Sequence, residues 1–276
     1  MAIAGKVPVR RYLRTAKMPH IWCPGCGHGI ALQALLRAIH RVGLPQDRTV
    51  IVSGIGCSSR AAGYVDFDTL HTTHGRALAF ATGIKLANPE LHVIVISGDG
   101  DAAAIGGNHL IHAARRNIGI TCICFNNTIY GMTSGQYSPL TPTDAYATTA
   151  PYGNIDTPFD LCELVRAAGA SYVARETSYH ARQLERLIAK GLENDGFSFI
   201  EALVQCPTYF GRKNKLGDPF NMMKLMHERT VPASKAASMA PEELAGKIVV
   251  GELWHRPRPE YTKLYDGVIG KAGGHE

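Results

Sequence analysis

Leu91-His92-Val93-Ile94-Val95-Ile96-Ser97-Gly98-Asp99-Gly100-Asp101 and, downstream, Ile118-Gly119-Ile120-Thr121-Cys122-Ile123-Cys124-Phe125-Asn126-Asn127-Thr128-Ile129-Tyr130-Gly131 decide the fold. Each is a short apolar run ending on a turn of small polar residues, as expected of a strand buried on both faces. The stretch between them has room for one crossover helix. The two strands therefore lie parallel and deliver their polar ends to the same edge of a sheet. That edge carries a carboxylate, a carboxamide and nearly bare glycine backbone, which a ligand can approach closely. A hard divalent cation holding a diphosphate needs such a donor set. Asp99 would ligate through its carboxylate, Asn127 through its amide oxygen and Ile129 through its carbonyl. Mg2+ suits the set better than Ca2+, because phosphate oxygens and few carboxylates favour the smaller ion.

The same alternation extends in both directions. After the turn Cys23-Pro24-Gly25-Cys26-Gly27, the residues Leu32, Leu35, Leu36 and Ile39 keep helical spacing, and Gly43 with Pro45 ends the helix. Thr49–Ser53 reads as a strand running into Gly54-Ile55-Gly56-Cys57-Ser58-Ser59. Helices are expected over 74–87, 108–116, 158–168 and 178–193, with further strands at 171–174 and 197–204. The pattern predicts an α/β fold with a doubly wound, mainly parallel sheet. Ligands of such sheets sit outside the carboxyl ends of the strands, here the loops 54–59, 98–101 and 126–131. Gly100 and Asp101 open a helix whose free N–H groups favour a diphosphate. The stretch 131–156, rich in Thr, Pro, Gly and Tyr, is long enough to be functional. Three parts are expected: an N-terminal arm with the CxxC segment (1–47), the α/β domain (48–206), and an extended C-terminal segment (207–276) covering the site or a neighbouring subunit.

The chain has 276 residues, 45% of them hydrophobic and only 19% charged, which fits a subunit with buried interfaces. A formal charge of +6 is spread along the chain and reads first as a solvated surface, with an acidic partner, such as a diphosphate, a coenzyme or a small acidic electron carrier, as the alternative. No basic patch interleaved with aromatics points to nucleic acid, and no apolar run approaches the roughly 20 residues that cross a bilayer. Met1-Ala2-Ile3-Ala4-Gly5-Lys6 lacks the apolar run of a secretory signal. Seven cysteines, an odd number, argue against a disulfide framework and for the reducing cytoplasm.

Four of the cysteines stand apart. Cys23 and Cys26 form a CxxC, Cys57 ends a strand in a glycine loop, and Cys206-Pro207 follows another strand. A cubane 4Fe–4S cluster takes four thiolates. Read alone, the set is also compatible with zinc or a redox dithiol. Cys122, Cys124 and Cys162 fall inside apolar patterns and read as small core residues.

The Gly98-Asp99-Gly100 and Asn126-Asn127 pair resembles the thiamine diphosphate motif. Taken with Trp22-Cys23-Pro24-Gly25-Cys26-Gly27-His28, Gly54-Ile55-Gly56-Cys57-Ser58-Ser59-Arg60, His71-Thr72-Thr73-His74-Gly75-Arg76, Asn127-Thr128-Ile129-Tyr130-Gly131-Met132-Thr133 and Cys206-Pro207, the chain resembles the β subunits of 2-oxoacid:ferredoxin oxidoreductases. The match runs from about residue 15 to 215 and continues loosely beyond. The resemblance implies one 4Fe–4S cluster on Cys23, Cys26, Cys57 and Cys206, and Mg2+ on Asp99, Asn127 and the Ile129 carbonyl. Thiamine diphosphate contacts carry over to Ile55, Gly56, Cys57, Ser58, His74, Gly100, Asp101, Gly131 and Met132. His28 and the remaining histidines read as structural.

The family's reaction is oxidative decarboxylation of a 2-oxoacid, with the acyl group passing to coenzyme A and electrons to ferredoxin. A glutamate for the aminopyrimidine ring is expected from a separate α, or fused αγ, subunit in an (αβ)2 assembly. Arg60 and His74 are the expected catalytic side chains. Arg60 would pair with a distal carboxylate, and Met132 would offer an adaptable apolar wall, which favours 2-oxoglutarate. Pyruvate or a broad range of 2-oxoacids is the alternative substrate, and a non-redox thiamine-dependent decarboxylase or synthase the alternative class.

Overall fold

A computed structural model describes residues 7–273. Met1–Lys6, on which the reading of a missing secretory signal rests, and Gly274–Glu276 lie outside the described residues.

Strand alternation sets the layers. Ile94 and Ile96 face one core while Val93 and Val95 face the other, and Ile123 and Phe125 alternate in the same way with Cys122 and Cys124. The first half of the chain contributes α1 (His28–Val42), β1 (Thr49–Ser53), α2 (Ala61–Tyr64), β2 (Asp68–His71), α3 (Ala77–Ala87), β3 (His92–Gly98), α4 (Gly107–Arg116) and β4 (Ile120–Asn126). A hairpin of β5 (Ile129–Tyr130) and β6 (Gln136–Tyr137) comes next. It is followed by α5 (Leu161–Ala168), β7 (Tyr172–Thr177), α6 (Ala181–Glu193) and β8 (Ser198–Leu203). The last part holds α7 (Pro219–Arg229), β9 (Thr230–Pro232), α8 (Ala233–Ala236), α9 (Pro241–Leu244), β10 (Ile248–His255) and α10 (Tyr261–Gly273).

Eight strands form one sheet in the order β2-β1-β3-β4-β8-β7-β10-β9, and only β10 against β7 is antiparallel. Leu32, Leu35 and Ile39 of α1 and Leu184, Leu187 and Ile188 of α6 cover one face. Leu78 of α3, Leu110 of α4 and Leu161 and Val165 of α5 cover the other. The order reverses between β1, which leads to β2, and β3, which leads to β4. Ligand crevices of doubly wound sheets open at such a switch point.

The structure departs from the sequence expectations in three places. The helix expected from His74 starts at Ala77, because Gly75 takes a left-handed φ of 70° and leaves His74 on a turn. The helix expected at 108–116 is preceded by a π-helical turn over Asp101–Ile105. The stretch 207–276 is not merely an extended cover, since its β9 and β10 widen the sheet by two strands. α1, in the N-terminal part of the chain, shares a core with the sheet. The β10 signal was hard to read because Gly251, at φ 113°, and a register shift between Glu252 and Trp254 break its alternation.

A buried ion pair steadies the far side of the β4 end. Arg175 Nε lies 2.5 Å from Glu201 Oε2, and Glu201 Oε1 accepts from Asn126 Nδ2 at 2.8 Å. Arg175→Ala should destabilise the fold by about 3–5 kcal/mol, because it leaves the Glu201 carboxylate buried and unpaired. Urea denaturation of Arg175→Ala beside the Arg175→Ala/Glu201→Gln double variant checks this, and the double variant should recover part of the loss.

Candidate active site

Asp101 ties three loops together. Its Oδ1 accepts from the Gly75 N–H at 2.7 Å and the Ile55 N–H at 3.3 Å, and it lies 2.6 Å from His74 Nδ1. Its Oδ2 accepts from Ser97 Oγ at 2.7 Å. The loops after β1 and β2 and the end of β3 are thus pinned to one buried carboxylate. Gly100 is glycine because a Cβ there would collide with the Tyr130 ring, whose hydroxyl donates to the Gly100 carbonyl at 3.2 Å.

Asp99, Asn127 and the Ile129 carbonyl converge as the sequence predicts. The Asn127 carboxamide lies 3.0 Å from Asp99 Oδ1 and 2.7 Å from the Ile129 carbonyl oxygen. With its nitrogen turned to them it donates to both. With its oxygen turned to them, three oxygens face one another, an arrangement that a cation makes favourable. Burial pushes the Asp99 carboxyl up to about 6, against the pull of the Ser138 hydroxyl and the backbone N–H groups of Asn127 and Asp99. Ser138 Oγ donates to Asp99 Oδ2 at 2.5 Å, which leaves Oδ1 for the Asn127 side. Thr141 holds Ser138 in place by accepting from its N–H at 2.8 Å while donating to the Thr128 carbonyl at 2.6 Å.

The four cysteines are gathered beside this crevice. A Cβ built on Gly131 would lie 3.6 Å from Cys57 Sγ and 3.8 Å from Cys206 Sγ. Trp22 Nε1 donates to the Cys57 carbonyl at 2.7 Å, while Gln205 Nε2 donates to the Gly25 carbonyl at 3.0 Å. The CxxC loop is thereby laced to the other two cysteine segments. Burial pushes the Cys26 thiol up to about 12, with Cys206, Cys57 and Cys23 adding to the rise. Burial, then Cys206 and Cys23, pushes Cys57 up to about 11. Cys122, Cys124 and Cys162 are buried in the core, as their apolar surroundings in the sequence suggest.

A cavity of about 190 Å3 lies at the strand ends. It is lined by Ile55, Gly56, Cys57, Ser58, His74, Asp99, Gly100, Asp101, Asn127, Ile129, Gly131 and Met132, every position expected to meet thiamine diphosphate or its metal. Three larger open grooves, of about 570, 580 and 690 Å3, contain none of these residues.

Arg60 is not brought to the cavity. It ends the 3-10 turn Ser58–Arg60, in which Ser58 and Ser59 point inward and the arginine is exposed. Sequence reading also missed Ser138, Tyr130 and His28. His28, taken as structural, lines the cavity and places Nδ1 2.9 Å from Cys26 Sγ, so it touches both the cysteine loop and the crevice. Burial lowers its imidazole to about 4, which keeps it neutral. Its position two residues after Cys26 was the available signal.

Residues 54–202 match the family of the thiamine pyrophosphate enzyme C-terminal TPP binding domain, a span that begins in the first of the three loops and contains the other two. The chain is 58% identical over 267 residues to the 2-oxoglutarate synthase subunit KorB of Methanothermobacter marburgensis, covering 97% of this chain and 94% of the relative. It is 53% identical over 264 residues to the subunit of the same name from Methanocaldococcus jannaschii, covering 96% and 98%. This chain belongs to the 2-oxoglutarate synthase KorB family. A solved structure, 2-oxoglutarate:ferredoxin oxidoreductase from Magnetococcus marinus with 2-oxoglutarate, coenzyme A and succinyl-CoA bound, aligns at a TM-score of 0.87 and 32% identity, covering 98% of this chain and 92% of that one. The family is enzymatic, and the sheet and crevice described here are its thiamine pyrophosphate-binding fold. Among the described residues no helix is long and apolar enough to cross a membrane.

Ser138 is the residue of the long loop on which the Asp99 geometry turns. Ser138→Ala should cost about 1–3 kcal/mol at pH 7, where the buried carboxylate loses a donor. The folded protein holds the Asp99 proton more tightly than the unfolded chain does. The contribution of Asp99 to the stability of the metal-free protein therefore rises as pH falls through about 6, and the Ser138→Ala deficit shrinks over the same window. Urea melts of both proteins at pH 7.5 and 5 test this, and a deficit that does not depend on pH contradicts it.

Proposed function

We propose that this chain is the β subunit of a 2-oxoglutarate:ferredoxin oxidoreductase whose active site is completed by an α or fused αγ subunit in an (αβ)2 assembly. The reaction consumes 2-oxoglutarate, coenzyme A and two oxidised ferredoxins, and yields succinyl-CoA, CO2, two reduced ferredoxins and one proton. One observation carries this reading: an oxygen-donor cradle and four gathered thiols share a single strand-end crevice, with Cys57 belonging to both. A non-redox thiamine enzyme has no use for the second feature.

The residues present fit the groups the reading requires. Asp99, Asn127 and the Ile129 carbonyl would hold Mg2+, which relieves the buried charge of Asp99. Cys23, Cys26, Cys57 and Cys206 would hold one 4Fe–4S cluster. Among the described residues no three His, Cys, Asp or Glu side chains converge as ligands of a single ion. Thiolates on one zinc would stand only about 3.8 Å apart, whereas a cubane spreads its ligands more widely. Thiamine diphosphate, when bound, supplies the electron sink that a 2-oxoacid needs to lose CO2.

The chain's own side chains position and shield. Ile55 and Met132 offer an apolar wall, and the π-helical turn from Asp101 would offer backbone N–H groups to the diphosphate. Asp101 fixes His74 through Nδ1, which leaves Nε2 free to hydrogen-bond a ligand in the cavity. No glutamate lines the cavity among the described residues, so the contact to the aminopyrimidine ring falls to the partner subunit. Thiolate ligands and the odd cysteine count support a reducing compartment, the cytoplasm, for the protein.

The position of Arg60 favours a second reading of specificity. With that guanidinium outside the cavity, the distal carboxylate of 2-oxoglutarate takes its cationic partner from the other subunit. Without one there, the enzyme would accept a broad range of 2-oxoacids. The experiment is anaerobic co-purification with the partner chain, followed by coenzyme A-dependent reduction of methyl viologen with 2-oxoglutarate, pyruvate and 2-oxobutyrate. The proposal expects the highest kcat/KM with 2-oxoglutarate, and Arg60→Ala should leave the ratios between substrates unchanged. Equal turnover of all three supports the broad enzyme, and no turnover of any contradicts both readings.

A further inference from the structure

The outer side of the cysteine loop carries features that neither the cavity nor the sheet uses. Gly25, between the two cysteines of the CxxC, is gripped by prolines: a Cβ there would collide with Pro219 and touch Pro207. The stretch 207–219 therefore runs across the loop. It carries Arg212, Lys213 and Lys215, all exposed, and none of the three forms an ion pair among the described residues. The one acid beside them, Asp218, is engaged as the cap of α7, accepting from the Asn221 N–H at 2.7 Å. The basic stretch is also braced. Asn214 accepts from the Tyr146 N–H at 2.8 Å and donates to the Tyr146 carbonyl at 3.0 Å.

Two large apolar side chains flank the same loop in the open. Ile21, two residues before Cys23, is 63% exposed, and Phe220, next to the Pro219 that grips Gly25, is 71% exposed. Cys23 itself is exposed, whereas Cys206 is buried. The four thiols thus have one side that reaches solvent, framed by apolar and cationic groups.

We propose that this face docks a small acidic one-electron carrier protein of the ferredoxin class, with Ile21 and Phe220 at the centre and Arg212, Lys213 and Lys215 as the basic rim. The proposal rests on the reading of the four cysteines as a cluster site. At each docking one electron would pass from a reduced cluster held by the four thiols to the oxidised carrier, so that the cluster would be oxidised by one and the carrier reduced by one. Two dockings clear the two electrons released per 2-oxoacid. Contacts between redox partners are small, under about 1,200 Å2, so charge acts mainly on the rate of encounter.

The test compares two acceptors on the anaerobically purified complex, a purified acidic bacterial ferredoxin and the small cationic dye methyl viologen. Arg212→Glu/Lys213→Glu/Lys215→Glu should lower kcat/KM for ferredoxin by about tenfold or more at low salt, flatten its salt dependence and leave viologen reduction unchanged. The neutral Arg212→Gln/Lys213→Gln/Lys215→Gln variant should fall between. Unchanged ferredoxin kinetics in the Glu variant overturn the docking face. Loss of the partner subunit on gel filtration also overturns it, because the face would then belong to the subunit contact. A wild-type complex with no iron–sulfur absorbance that reduces neither acceptor instead overturns the cluster reading on which the proposal rests.

Discussion

The buried carboxylate of Asp101 is the constraint on which the site depends. Through one side chain it fixes the Ile55 N–H after β1, the His74–Gly75 turn after β2 and Ser97 at the end of β3. Loops at strand ends are otherwise free to vary, and a crevice built from three of them would have no defined shape. Because a single group joins them, the glycine backbone at 54–56 and the acid at 99 keep one spacing. On the other side, Glu201 and Arg175 hold Asn126, which sets the neighbouring Asn127 against Asp99.

Cys57 makes the crevice more than a diphosphate cradle. It lines the cavity beside Ser58, and its sulfur turns toward Cys206 across Gly131. His28 makes a second link, with one face in the cavity and Nδ1 on Cys26. Any group held by the four thiols would therefore border the strand-end crevice.

Much of this was legible in the sequence because it is local. A strand that ends in Gly98-Asp99-Gly100 or Asn126-Asn127 announces both its direction and its donors within a few residues, and the four cysteines announce themselves by type. What escaped reading is what depends on folding back. Ser138 reaches Asp99 from an irregular loop in which no periodicity marks one residue above another. Arg60 was expected at the substrate because it follows the Cys57 loop. One 3-10 turn is enough to bury Ser58 and Ser59 and send the next side chain outward. The strand β10 was hidden by a left-handed glycine and a bulge, although its apolar residues lie in plain view at Ile248, Val249 and Val250.

The most direct test of the account is anomalous diffraction from crystals of the anaerobically purified complex loaded with thiamine diphosphate and Mn2+ in place of Mg2+. The account predicts iron peaks enclosed by Cys23, Cys26, Cys57 and Cys206, and a manganese peak between Asp99, Asn127 and the Ile129 carbonyl. A zinc peak at the cysteines, or no manganese at the strand ends, would contradict it.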